Sequence, residues 1–408
     1  MKVLYISYDG MTDALGRSQV IPYLVGLSAK GHTIHIVSCE KKTVSKAERD
    51  DVKVILYKSH IHWHPLSFST QPPFLSKVMD VVKIKRKALE LQHKESFDIV
   101  HCRSYIAALA GLKLKLQHNV KLVFDMRGFW ADERIDGNIW SLKNPLYRII
   151  YSYFKKKEKL FFHHADAVIS LTQNGKDVIE NIFGDEIAGK TTVIPCCADT
   201  ELFSRENVPA HQVLELKSRL GLSDNNFVLS YLGSVGTWYL LDEMLLFFKK
   251  LKTKFPDARF LFISGDEPSR VKRKASETGI NPDDIIVAKA SRENVPAYLS
   301  LSGASVFFIK PVFSKKASSP TKQAEIMSMG IPAICNSGVG DTDLIFSGND
   351  AGLVLKNFSE TEMERGVKEL DKILQLDPVQ IRNKAIRLFS LDDGVEKYHT
   401  IYSQILKS

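Results

Sequence analysis

Ser319-Pro320-Thr321-Lys322-Gln323-Ala324-Glu325 puts two hydroxyls, an ammonium and a carboxylate into one short segment, followed by Gly330-Ile331-Pro332. The run reads as a short helix. Ser319 suits the N-cap, Pro320 the first helical position and Gly330 the left-handed stop, while Pro332 prevents resumption. Lys322 is the odd residue. A cation in the first turn faces the positive end of the helix dipole and costs roughly 0.3–1 kcal/mol. A Glu there would have completed a capping box. An anion would resolve the conflict: first-turn N–H groups, the hydroxyls of Ser319 and Thr321 and the Lys322 ammonium together make a phosphate site. Glu325 shares a face with Thr321 and Lys322, one turn on, and can accept hydrogen bonds from ribose hydroxyls. An ordinary surface helix carrying a Lys and a Glu fits the same residues.

Other candidates lie at turns after strand-like runs, where open α/β sheets bind ligands. In the second half these are Gly233-Ser234-Val235-Gly236 and Gly265-Asp266-Glu267. In the first half they are Asp9–Gln19, which contains Gly16 and Arg17, then Arg103-Ser104 and Asp125–Glu133. Asp125 and Arg127 fit either contact with a substrate or an ordinary strand-end ion pair. Asp132 and Glu133 are alternative carboxylates, or simply open a helix. Asp341-Thr342-Asp343 has the spacing of a metal-binding pair, but it follows the Gly338–Gly340 turn and reads as a helix start. No metal site is expected.

The elements that must position these residues alternate along the whole chain. Strands are predicted at 3–8, 33–39, 52–58, 98–103, 121–127, 167–172 and 191–196, and again at 227–233, 258–265, 284–290, 304–311, 332–337 and 351–355. Many are nearly continuous apolar runs, as in parallel strands buried on both faces. The segments between them are amphipathic, which argues for α/β architecture with right-handed crossovers. The pattern restarts near residue 205, within the polar stretch Glu201–Gln212, and the boundary is placed at about 203–212. The expected organisation is a first domain over 1–205, a second over 206–380, and C-terminal helices, 381–408, that can cross back to brace the first. Two doubly wound domains would face a central cleft, a common place for a substrate.

Composition narrows the class. The 408 residues are 44% apolar and 25% charged, as in soluble globular proteins. No run approaches the roughly 20 apolar residues of a spanning helix, and Met1–Gly10 reads as a first strand rather than a leader. Five scattered cysteines show no metal-ligand spacing and favour a reducing, cytoplasmic compartment. The net charge of +9 is concentrated in Lys83–Lys87 and in Arg148–Phe162, where aromatics interleave with lysines. Such a helix can lie on an anionic membrane, or it can present an ordinary solvated face. No zinc-finger, basic-zipper or RNA-binding signature accompanies the charge, so nucleic acid is not an expected partner.

These residues resemble the retaining, GT-B-fold glycosyltransferases of family 4 (glycosyltransferase group 1) over nearly the whole chain. Ser319–Pro332 is similar to the family's donor segment, and Thr192–Phe203 to its stretch before the linker. Tyr231–Gly236 resembles the first strand and glycine turn of the donor domain, and Asp9–Leu24 the N-terminal loop and helix. The chain departs from the pattern at Ala317, where a first Glu is usual, and at Ser234 and Leu240, where an Arg and a Lys are usual. It departs again near Asp125–Glu133, where many members place a His. The resemblance implies two Rossmann-like domains, an acceptor-side one and a nucleotide-sugar donor one. It implies transfer of a sugar to a glycan or lipid-linked acceptor in surface polysaccharide synthesis, without metal or cofactor. Ser319, Thr321 and Lys322 would then hold the diphosphate and Glu325 the ribose. Gly233, Ser234 and Gly236 would admit the phosphates to the backbone, with Gly16 and Arg17 closing from the first domain. Asp125 or Arg127 would meet the sugar or orient the acceptor hydroxyl. The location implied is cytoplasmic, with peripheral contact at the inner face of the membrane. A non-hydrolysing nucleotide-sugar 2-epimerase, or a binder without turnover, shares this architecture.

Overall fold

The structure, a computed structural model, describes residues 1–72 and 75–407. Two compact units divide the chain: Met1–Pro195 with Leu391–Ser408, and Cys196–Ser390. Residue 408 of the expected last segment lies outside the described residues.

The first unit is built on a seven-stranded sheet of β1 (Lys2–Ser7), β2 (Thr33–Glu40), β3 (His62–Ser67), β4 (Ile99–Arg103), β5 (Lys121–Asp125), β6 (Ala167–Ser170) and β7 (Thr191–Val193). Their order is β3-β2-β1-β4-β5-β6-β7, with every pairing parallel. The second holds β8 (Val228–Leu232), β9 (Arg259–Ile263), β10 (Ile285–Ala288), β11 (Ala304–Phe307), β12 (Ala333–Asn336) and β13 (Gly352–Leu355), ordered β10-β9-β8-β11-β12-β13, again all parallel. Each is a doubly wound α/β sheet that reverses direction beside its first strand, at β1/β4 and β8/β11. The central strands are buried throughout: Val3, Leu4 and Ile6, like Leu229 and Tyr231, expose nothing. That explains their unbroken apolar sequences.

One predicted strand is a helix. Val52–Lys58 forms the second half of Lys46–Lys58. Ser45 and Glu48 make a reciprocal capping box that starts the helix. Val52 and Leu56, four residues apart, are its buried contacts, while Val54 and Ile55 are exposed. A β-branched run thus imitated a strand whose true place is His62–Ser67, a segment with polar rings and a proline. The division between the units falls at 195/196, ahead of the expected 205/206. The C-terminal segment also splits. Helix Pro378–Phe389 packs on helix Thr321–Ser328 in the second unit, and helix Leu391–Lys407 packs on helix Ile21–Ala29 in the first. Arg382 secures the former by donating to the carbonyls of Ser328 at 2.7 Å, Phe203 at 2.8 Å and Thr200 at 2.9 Å. A guanidinium there satisfies a carbonyl at the end of the Thr321–Ser328 helix. No described helix is long and apolar enough to cross a membrane.

Candidate functional site

In the second unit the site starts where β8 ends. Gly233, with φ +107°, turns the chain in a conformation that L side chains avoid. The Tyr231 hydroxyl closes the turn by donating 2.6 Å to the Ser234 carbonyl. Asp266, after β9, accepts from the Val235 N–H at 2.7 Å and the Ser264 hydroxyl at 2.6 Å. Ser234 and Gly236 lie exposed on this turn. A Cβ at Gly236 would meet nothing within 4 Å, so packing does not demand glycine there.

Lys322 reaches this turn from the first turn of helix Thr321–Ser328. Its Nζ donates 3.0 Å to the Tyr231 hydroxyl and lies 4.1 Å and 3.6 Å from the ring centroids of Tyr231 and Tyr239. A Cβ at Gly233 would sit 3.2 Å from that Nζ, so the glycine also provides room for the amine. Lys322 is only 7% exposed. Burial drives its pKa far below the ordinary lysine range, and Glu325 offsets this only in part. A cation–π contact contributes about 0.5–2 kcal/mol, whereas desolvating an ammonium costs several kcal/mol. Burial therefore wins over the rings.

Glu325 is buried, and its Oε1 accepts from Arg292 Nη1 at 2.8 Å. Burial raises the Glu325 pKa, while Arg292 and Lys322 hold part of the rise back. Arg292 follows β10 and rests on the Phe203 ring at 5.2 Å. The helix start differs from expectation. Pro320, in extended conformation, is the N-cap, Thr321 is the first helical residue, and no side chain caps the first turn. The Ser319 hydroxyl instead accepts from the Cys196 N–H at 3.1 Å. The proline ring has displaced the serine by one position. Ser319 thereby braces the chain entering this unit, while Thr321 and Lys322 present the uncapped helix start.

The first unit places its candidates at the equivalent edge. The loop after β1 is held by buried Glu40, which accepts from the N–H groups of Met11 at 2.8 Å and Thr12 at 3.2 Å. A Cβ at Gly16 would lie 2.2 Å from the Gly10 carbonyl oxygen, so this tight loop requires glycine. Arg17 is committed to helix Lys46–Lys58: it pairs with Asp51 at 2.7 Å and donates to the Glu48 carbonyl at 3.1 Å.

Asp125, at the end of β5, is 1% exposed. Its Oδ2 accepts from the Tyr398 hydroxyl at 3.2 Å and lies 3.5 Å from His101 Nε2 and 3.8 Å from Arg127 Nη1. His101 Nδ1 meets the Tyr402 hydroxyl at 2.6 Å. Burial alone would raise the Asp125 pKa, but Arg127, His101 and Arg103 together hold it below the ordinary aspartate range. Burial lowers His101 despite Asp125, and pushes Tyr5 up to about 12. Arg127 adopts φ +57°, a strained choice for a side-chain-bearing residue. Asp125 is thus the buried anchor of a cationic and aromatic cluster. Asp132 and Glu133 fall in the first turn of helix Trp130–Asp136, with Asp132 accepting from Tyr151 at 2.7 Å and Lys155 at 2.9 Å. Asp341 occupies the N-cap position of helix Thr342–Ile345, without a side-chain capping bond.

Sequence reasoning missed Arg292, Tyr239, Tyr398 and Tyr402. Arg292 follows a strand end, β10, which the strand-end rule could have flagged. Tyr398 and Tyr402 are four residues apart on an amphipathic helix, but nothing local says that they reach Asp125 and His101 respectively.

Two all-parallel, doubly wound sheets, each with its candidates beyond the strand ends, define a two-Rossmann-domain protein of the GT-B type. Residues 23–202 match the model described as Glycosyltransferase Family 4, and residues 213–385 match that described as Glycosyl transferases group 1. The chain belongs to the family 4, group 1 glycosyltransferases. An uncharacterised glycosyltransferase of Methanocaldococcus jannaschii is 24% identical over 307 residues, 72% of this chain and 67% of the relative. A glycosyltransferase from Rickettsia africae aligns over 100% of this chain and 99% of its own, with TM-score 0.70 and 17% identity. Anabaena HepE, crystallised with UDP and glucose, aligns over 99% of each chain with TM-score 0.69 and 14% identity.

Proposed function

We propose that the protein transfers a sugar, with retention and without a metal, from a nucleotide-sugar donor to a glycan or lipid-linked acceptor in cytoplasmic surface-polysaccharide synthesis. The observation that carries this reading is the placement of Lys322 against the Gly233 turn, with Glu325 and Arg292 one turn further along. The task in such a transfer is to stabilise charge on the departing diphosphate while the sugar becomes oxocarbenium-like. The uncapped start of helix Thr321–Ser328 and the Lys322 amine supply positive potential at one spot. The remaining lone pairs of Glu325 can accept from ribose hydroxyls while Arg292 fixes its rotamer. Crystallisation of HepE with UDP and glucose supports a nucleotide-sugar donor. In the first unit Arg127, rather than buried Asp125, has the guanidinium that can meet the sugar or the acceptor, and Asp125 positions it.

The direct test is a thermal-shift screen of UDP-, GDP-, ADP-, TDP- and CMP-sugars, followed by incubation with the labelled stabilising donor and glycan or lipid-linked acceptors. Transfer of label is expected. A C2-epimerised nucleotide sugar, or binding without turnover, would replace this reading.

Peripheral membrane contact belongs to the same proposal, with the exposed face of helix Pro145–His164 against an anionic lipid surface. Ile149 is 67% exposed, and Leu146, Tyr153 and Leu160 continue the stripe beside exposed Lys156 and Lys159. Lys155 does not contribute, since it is paired with Asp132 and Glu158. An apolar stripe flanked by lysines, on a chain of charge +9, suits anionic headgroups. Wild-type protein should sediment with phosphatidylglycerol-containing vesicles. The I149E/K156E/K159E variant should lose most of that binding, and equal sedimentation of the two would remove the membrane assignment.

A further inference from the structure

Lys322 meets conditions that a resident ammonium would not choose. Its Nζ has three positions for protons but one described hydrogen-bond acceptor, the Tyr231 hydroxyl at 3.0 Å. Among the described residues no carboxylate reaches ion-pair distance of it, because Glu325, one turn along the same helix, is taken by Arg292. The other groups around it are known. From β8 and its turn come the Tyr231 and Tyr239 rings and the bare backbone of Gly233. From the turn after β9 comes Asp266, whose carboxylate is bound to the Val235 N–H and the Ser264 hydroxyl. From the loop after β10 comes Arg292, a second cation. Lys315, on the segment before the helix, lies against Trp238. The helix N-terminus adds positive potential. Burial and the helix start disfavour charge on this nitrogen, and Glu325 offsets this only in part.

We propose that Lys322 stands as a neutral amine before the donor binds and takes up one proton when the donor diphosphate arrives, so that binding and protonation are coupled. The lone pair on Nζ accepts a proton delivered by solvent buffer, and the ammonium formed faces the phosphate oxygens. On release of the nucleoside diphosphate the proton returns to solvent. This rests on the reading of Lys322 as a diphosphate ligand. It adds that the same aromatic enclosure keeps the site from carrying a permanent charge. The direction of the Lys322 pKa agrees with the geometry. The consequence for affinity follows from linkage. Above the pKa of the free protein and below that of the complex, diphosphate binding weakens about tenfold for each unit of rising pH.

The test is titration calorimetry of the full chain with UDP, GDP and ADP, keeping whichever binds tightest. It is run near pH 8, where the terminal phosphate, with a pKa of about 6, is already dianionic. Tris and HEPES differ in ionisation enthalpy, so the change in apparent binding enthalpy between them counts protons. The wild type should take up close to one. Lys322→Arg, which cannot lose its charge, should bind with uptake near zero. Lys322→Met should bind at least about tenfold more weakly, also with uptake near zero. If wild-type uptake is near zero while Lys322→Met is weakened, proton coupling is overturned and the diphosphate assignment stands. If Lys322→Met binds as tightly as wild type, the diphosphate assignment itself falls, and the coupling with it.

Discussion

Lys322→Met should lower kcat/KM for the donor by about 10² to 10³-fold, the usual effect of removing one preorganised group that meets developing charge. The same change should leave the melting temperature at or above that of the wild type. Methionine fills a similar volume, and the site loses a buried nitrogen that no carboxylate among the described residues pairs with. The Tyr231 hydroxyl keeps its bond to the Ser234 carbonyl, so no donor is orphaned. Activity and stability are thus expected to move in opposite directions, as at sites where function costs stability. Steady-state kinetics with the donor and a thermal melt check both halves. A loss of activity accompanied by a lower melting temperature would point to a packing role for Lys322.

Asp125→Asn should act in the other sense, chiefly on folding. It removes the carboxylate from a cluster containing Arg127 and Arg103 and leaves buried positive charge uncompensated. Breaking a buried pair on one side costs about 3–5 kcal/mol. At roughly 2–4 °C per kcal/mol for a unit of this size, the first unit should melt on the order of 10 °C lower. The pH dependence has a definite sign. The folded-state pKa of Asp125 is depressed, so its contribution is complete above the unfolded value of about 3.9 and is lost as pH falls through the folded value. The wild type should therefore lose stability below about pH 4 by a step that Asp125→Asn lacks. Chemical denaturation between pH 3 and 7 checks this, and parallel acid profiles for the two proteins would contradict the cluster's role.

These expectations also divide what each level of description contributes. Alternating apolar runs and amphipathic segments sufficed for two doubly wound sheets, because strands buried on both faces must be apolar and crossover helices must have one apolar face. Lys322 was legible for a local reason, a cation where the helix dipole resists one. The same local reasoning failed at Val52–Lys58, where a β-branched run competed with a capping box and the cap won. It also misplaced the N-cap by one residue, because Pro320 and Ser319 satisfy similar local rules and the Ser319 hydroxyl is claimed by Cys196.

The sequence by itself determined the architecture, the two sets of strand ends and the helix start at which a cation opposes the dipole, since propensity, periodicity and helix electrostatics act over a few residues. Only the tertiary structure decided that Lys322 is enclosed by Tyr231 and Tyr239, that Glu325 belongs to Arg292, and that Asp125 is roofed by Tyr398 from the last helix of the chain. Those pairings join residues far apart in sequence. Their energies come from desolvation and charge in a packed interior, which no local pattern encodes.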